Sequence, residues 1–205
     1  MASETTILVW SDYVCPFCYL ALPVLARARS ELGVAVQWRA FELRPEPQPT
    51  LDPDGEYLHN VWETAVYPMA AQRGMTLRLP PVQPRSRLAA VAAAFARDAG
   101  AFDAVHEALF RGFFEDGLDI GDRSVLLDIA TLCGLDSAAL HRALDDETLT
   151  ARVVAEEQLA ARVGITGVPA MVIRSADRHY LLSGAQPFDV LQHAVEQARA
   201  GQSDA

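Results

Sequence analysis

Ser11-Asp12-Tyr13-Val14-Cys15-Pro16-Phe17-Cys18-Tyr19 is the stretch on which this chain turns. Before it runs Thr5-Thr6-Ile7-Leu8-Val9-Trp10, apolar and β-branched without alternation, which suits a central strand covered on both faces. After it, Phe17, Leu20, Ala21, Val24, Leu25, Ala28 and Leu32 recur at spacings of three and four. That is the period of an amphipathic helix, opening at Pro16 and stopping at Gly33. Pro23 lies inside it, where it removes one hydrogen bond and should bend the helix. The two thiols thus stand at a strand-to-helix junction, where unpaired backbone N–H groups and the positive end of the helix dipole favour a thiolate. Cys15 is expected at the helix start, exposed enough to attack. Cys18, one turn further in, is expected to be the resolving thiol that attacks the mixed disulfide formed by Cys15.

With 205 residues, 51% of them apolar, the chain can bury a core without disulfide staples. Met1-Ala2-Ser3-Glu4 carries no basic residue, and the first apolar run, Ile7 to Trp10, is too short for a signal peptide or a membrane span. A cytoplasmic location is therefore expected, where a close cysteine pair serves catalysis or metal rather than structure. A zinc site would need two more ligands from Cys133, His59, His106, His141, His179 and His193, none at a ligand-like spacing, so no metal is expected. The cations are all arginine, and the net charge is −10. The excess acid lies between Asp98 and Glu157, where 14 acids meet 4 arginines. That balance argues against nucleic acid or an anionic membrane as partner, and the acidic stretch reads as a solvated helical surface. No motif addresses oligomeric state.

Further along, Val34 to Phe41 alternates as a second strand. Pro45, Pro47, Pro49 and Pro53 then mark a surface connection. Helical patterns follow at roughly 56–73, 86–99, 101–114, 124–133, 137–145 and 148–163, with Asp122 or Arg123-Ser124 opening the fourth, Gly134 closing it and Asp136-Ser137 opening the fifth. Strand signals return at 170–174, pass a turn at Ser175-Ala176-Asp177 and resume at 179–183, a hairpin. Gly184-Ala185-Gln186 turns the chain and Pro187 opens a last helix with Phe188, Leu191, Val195 and Ala198 on its buried side. The tail from Gly201 should fray. The fold class read from this order is α/β, a thioredoxin fold with an inserted all-helical domain. Its parts are 1–50 (β-α-β), 51–150 (helical insertion) and 151–205 (α-β-β-α).

Gly164-Ile165-Thr166-Gly167-Val168-Pro169-Ala170 is the second motif, a glycine-flanked X-Pro bond at a strand entrance, suited to a tight turn open to a cis bond. CPFC after a strand, a helical insertion, then GVPA before a hairpin resembles the DsbA-like branch of the thioredoxin superfamily. DYVCPFCY, GVPAMVI and GAQP look like its FrnE-like intracellular subgroup. The resemblance spans essentially the whole chain, with its sharp motifs at the two ends. It implies a thiol–disulfide oxidoreductase with Cys15 as nucleophile and Cys18 as resolving cysteine. It also implies a cis Pro169 packed beside them, and a Val168 backbone that pairs with an extended substrate, flanked by Pro16 and Phe17. The expected partner is a protein or small-molecule thiol or disulfide, with glutathione a candidate co-substrate and no bound cofactor. The sequence departs from the subgroup at Phe17, where many members carry Trp, and at Leu20-Ala21, where Ile-Gly is usual.

Two rivals share the fold or the groove. The 2-hydroxychromene-2-carboxylate isomerase and kappa-class glutathione transferase relatives resemble this architecture, but they usually carry Ser where Cys15 stands and lack the partner thiol. A peptide-binding holdase could use the groove beside Pro169, yet would have no need of two thiols. Among weaker candidates, Asp12 is either an acid relaying the Cys18 proton or a turn residue at the helix start, the latter preferred. Cys133 reads as core filler and Trp10 and Trp38 as core. Gln186 approaches the groove only by the family likeness, and none of the five histidines is assigned a role.

Overall fold

The computed structural model describes residues 5–176 and 178–200. The expected fraying tail and Asp177 of the hairpin turn lie outside the described residues. Four strands form one mixed sheet in the order β2-β1-β3-β4: β1 (Thr6–Ser11), β2 (Ala35–Ala40), β3 (Ala170–Ser175) and β4 (Arg178–Ser183). β1 runs parallel to β2 and antiparallel to β3. Its continuous apolar run is explained by that central place. Ile7 and Val9 pack with Ala21, Leu25 and Leu191 on one face, while Leu8 and Trp10 pack with Phe41, Ala160 and Ile165 on the other. The antiparallel register pairs Trp10 with Ala170, which brings the segment after β1 against the segment before β3. Two motifs some 150 residues apart thereby meet at one end of the sheet.

Helix α1 (Pro16–Leu32) makes the crossover from β1 to β2, holds Pro23 inside, and ends at Gly33 in a left-handed conformation, φ 60°. Between β2 and β3 lie α2 (Glu56–Val61), α3 (Tyr67–Gln72), α4 (Arg87–Asp98), α5 (Phe102–Phe114), α6 (Arg123–Leu132), α7 (Ser137–Ala143) and α8 (Glu147–Arg162); α9 (Phe188–Ala200) closes the fold. The single helix expected at 56–73 runs without a gap from Glu56 to Gln72 but contains a π segment, Trp62–Val66, just before Pro68, which has no amide to offer the turn behind it. Asp122, Asp136 and Asp146 cap the starts of α6, α7 and α8 through their carboxylates. Pro187 lies just ahead of α9 rather than within it.

The helices between β2 and β3 share a core with the beginning of α1. Trp62, Phe110, Phe113 and Phe114 are fully buried there, in the same cluster as Tyr13, Cys15, Cys18, Tyr19 and Leu20. Trp10 and Trp38 are buried in the strands as expected, and Trp62 is core as well, packed on Tyr67 and Phe114. The dithiol thus stands on the seam between sheet and helices.

Candidate active site

Asp12 begins the site by folding the chain between β1 and α1. Its backbone carbonyl accepts from Cys15 N at 3.1 Å, its Oδ1 accepts from Val14 N at 3.2 Å, and its Oδ2 accepts from Leu43 N at 2.7 Å. The side chain therefore builds the turn and ties it to the segment after β2, while the N-cap position itself is Cys15, with no side-chain cap. Asp12 is buried, and that burial raises its carboxyl pKa to about 6 against the opposing amides of Leu43 and Val14 and the Ser86 hydroxyl. Glu42 adds to the rise.

Cys15 and Cys18 are both free and both buried, at 4% and 0% exposure. That corrects the expectation of an exposed Cys15. Val14, Phe17 and Val168 pack against the cluster that contains it, and the thiol donates to Val168 O at 3.5 Å. Burial pushes the Cys18 thiol up, and the adjoining Cys15 pushes it further; an Asp12 backbone contact and the Ser11 hydroxyl work the other way. Val168–Pro169 is a cis bond, as is Glu46–Pro47. Pro169 O accepts from Gly184 N at 2.8 Å, which anchors the loop to the turn after β4. The Gln186 amide folds back onto Ser183 O at 2.5 Å instead of reaching toward the thiols.

Two clefts are lined by segments adjoining the dithiol. One, of about 290 Å³, is lined by Gly164 to Ala170 with Leu181, Ser183 and Gly184. The other, of about 340 Å³, is lined by Val14, Leu43, Arg44, Leu51 and Tyr57 among others. Pro16 and Phe17 sit at the first turn of α1, both partly covered.

Several residues of this region carried no local signal. Tyr13 bonds His106 Nδ1 at 2.7 Å, across 93 positions, and its ring meets Phe110 at 4.9 Å. Burial, with Arg97 adding, lowers the His106 pKa to about 3, so its imidazole is neutral at physiological pH. Burial likewise pushes the Tyr13 hydroxyl up, so it stays protonated. Tyr19 donates to Glu115 and stacks on Phe110 at 5.4 Å. Beneath Asp12 lies a carboxylate cluster around a single guanidinium: Arg87 donates to Glu42 at 2.5 Å and to Glu157 at 3.2 Å. Burial raises the Glu157 pKa to about 7, Arg87 opposes, and Glu42, Asp12 and Glu156 contribute to the rise.

Cys133 is the residue after α6, half-buried beside the exposed Leu132, so it is less enclosed than the core reading expected. Burial raises its pKa, with Arg111 opposing. Among the described residues no group of three or more His, Cys, Asp or Glu side chains could hold a metal ion, and no helix is long and apolar enough to cross a membrane.

A dithiol at a strand-to-helix junction, facing a cis-proline loop on a sheet interrupted by helices, defines the DsbA-like class of thioredoxin-fold proteins. The DSBA-like thioredoxin domain model matches residues 6–196, and the chain belongs to that family. It is 34% identical over 193 residues to the uncharacterized protein YwbO of Bacillus subtilis (strain 168), spanning 91% of this chain and 94% of that one. The crystal structure of a probable DsbA oxidoreductase from Streptomyces coelicolor matches with a TM-score of 0.77 at 30% identity, over 95% of this chain and 90% of that chain. The cytosolic disulfide reductase DsbM from Pseudomonas aeruginosa matches with a TM-score of 0.70 over 97% of each chain. Its 22% identity speaks to fold alone; it has also been solved with GSH.

Proposed function

We propose that this chain is a cytoplasmic thiol–disulfide oxidoreductase of the FrnE-like type, working through Cys15 and Cys18. The observation that carries the reading is the meeting of the two motifs: the Cys15 thiol lies 3.5 Å from the carbonyl of Val168, beside the cis bond to Pro169. In reduction, the Cys15 thiolate attacks one sulfur of a substrate disulfide. The substrate S–S bond breaks, a mixed disulfide forms, and one substrate thiolate leaves. Cys18, once deprotonated, attacks Cys15 Sγ; the mixed disulfide breaks, the second substrate thiol leaves, and the protein holds a Cys15–Cys18 disulfide. Two electrons pass to the substrate, and the reverse sequence oxidises a dithiol. The pair carries those electrons itself, so no resident cofactor is needed.

The buried Cys18 must lose a proton in the second step. Asp12, whose backbone lies against the Cys18 thiol and whose buried carboxyl has a pKa of about 6, is the proposed acceptor, in addition to its role in the turn. Val168 offers backbone to an extended substrate, with Pro16 and Phe17 beside the reacting sulfur. Glutathione is the proposed small-molecule partner, in keeping with the DsbM structure that carries GSH. The test is dithiothreitol-driven insulin reduction with wild type, Cys15→Ser and Cys18→Ser. Activity should vanish with Cys15→Ser, and activity unchanged by it would sink the proposal. Glutathione-dependent turnover that survives Cys18→Ser would favour the isomerase or transferase chemistry instead.

A further inference from the structure

Arg73, the residue after α3, makes three hydrogen bonds to backbone carbonyls and no ion pair among the described residues. Nη1 donates to Leu20 O in α1, two residues beyond Cys18. Nη2 donates to Ala185 O at 2.7 Å and Gln186 O at 3.3 Å, in the turn before α9. Burial pushes the guanidinium pKa down, with no carboxylate offsetting it. A guanidinium stays charged in such a site, so these carbonyls are what compensate its lost hydration.

The acceptors belong to the two segments that make the site. Leu20 lies on the helix that carries both thiols. Ala185 and Gln186 follow Gly184, whose N–H donates to Pro169 O at 2.8 Å, and the neighbouring Val168 O is the acceptor for Cys15 Sγ. The helix is weakened at the same place, because Pro23 has no amide to give Tyr19 O. From this closed circuit of bonds we infer that Arg73 is a positioning residue that fixes the span between the dithiol helix and the Val168–Pro169 loop, and so sets the equilibrium of thiol–disulfide exchange.

The inference rests on the exchange reading of Cys15 and Cys18. The circuit includes the Cys15 thiol donating to Val168 O, a bond available only to the dithiol form. Loosening the circuit therefore destabilises the dithiol relative to the disulfide. A lysine keeps the charge but concentrates its donors on one nitrogen, which cannot reproduce the fork that joins two segments.

Wild type, Arg73→Lys and Arg73→Met are equilibrated with a series of reduced-to-oxidised glutathione ratios, trapped by alkylation, and in parallel unfolded with urea. Both variants should hold the Cys15–Cys18 disulfide more tightly by about threefold or more, the scale of one lost hydrogen bond. A role confined to stability lowers the urea midpoint but leaves the couple unchanged, and that result in Arg73→Lys would overturn the inference even if Arg73→Met fails to fold. A wild-type chain that forms no Cys15–Cys18 disulfide at any ratio would overturn the exchange reading itself, and the role of Arg73 with it.

Discussion

Replacing Glu157 by Gln removes a buried charge from beneath the active site, and its effect on stability is set by pH. The Glu157 side chain is 17% exposed; Oε2 faces Arg87, and Oε1 has no hydrogen-bond partner among the described residues. Its pKa stands at about 7 in the fold against an ordinary carboxylate value of 4.5. A carboxyl with a raised folded pKa binds its proton more tightly when folded. It leaves stability intact below pH 4.5 and lowers it progressively as pH rises through 7. A displacement of this size corresponds to roughly 3 kcal/mol when fully expressed, and most of it falls between pH 5 and 8.

Glutamine carries no charge at either pH. The stability of Glu157→Gln relative to wild type should therefore rise by about 2 kcal/mol from pH 5 to pH 8, once the retained Arg87 contact is allowed for. Urea unfolding of both proteins at the two pH values measures this difference. The comparison also cancels the opposing titration of His106, whose lowered pKa costs stability as pH falls below the ordinary histidine range. A difference that is flat with pH, or that runs the other way, would refute the assignment of a strained carboxylate there.

Phe110 is fully buried and touches the rings of Tyr13, Tyr19, His106 and Phe114. Phe110→Ala should cost about 3–5 kcal/mol in urea unfolding, and a loss below 1 kcal/mol would mean that this aromatic cluster does not support the dithiol helix. Cys18→Ser should arrest exchange at the mixed disulfide, so that oxidised glutathione leaves one glutathione on Cys15 by peptide mass mapping. Its appearance on Cys133 instead would contradict the division of roles.

Much of the architecture was legible because it rests on short-range patterns. The unalternating run Thr5 to Trp10 marked a central strand, the polar stretches Asp122-Arg123-Ser124 and Asp136-Ser137 marked helix starts, and the glycine-flanked Val168-Pro169 marked a tight strand entrance. Pro68 carried a readable warning of the π segment, which helical periodicity alone passed over. The cover over Cys15, the bond between Tyr13 and His106, the acid cluster around Arg87 and the three carbonyls on Arg73 had no local signature. Each joins residues dozens of positions apart, and a single histidine or arginine on a helix looks the same whether it faces solvent or a distant carbonyl. For Asp12, sequence reading found the turn, while its depth of burial depended on Leu43 and Ser86 closing over it from elsewhere in the chain.

Mapping the wild-type disulfide by peptide mass analysis after equilibration with glutathione tests the central claim most directly. Cys15 and Cys18 should oxidise together as one two-electron couple, with Cys133 alkylated at every ratio. Absence of a Cys15–Cys18 disulfide across the whole series, or pairing of either thiol with Cys133, would contradict it.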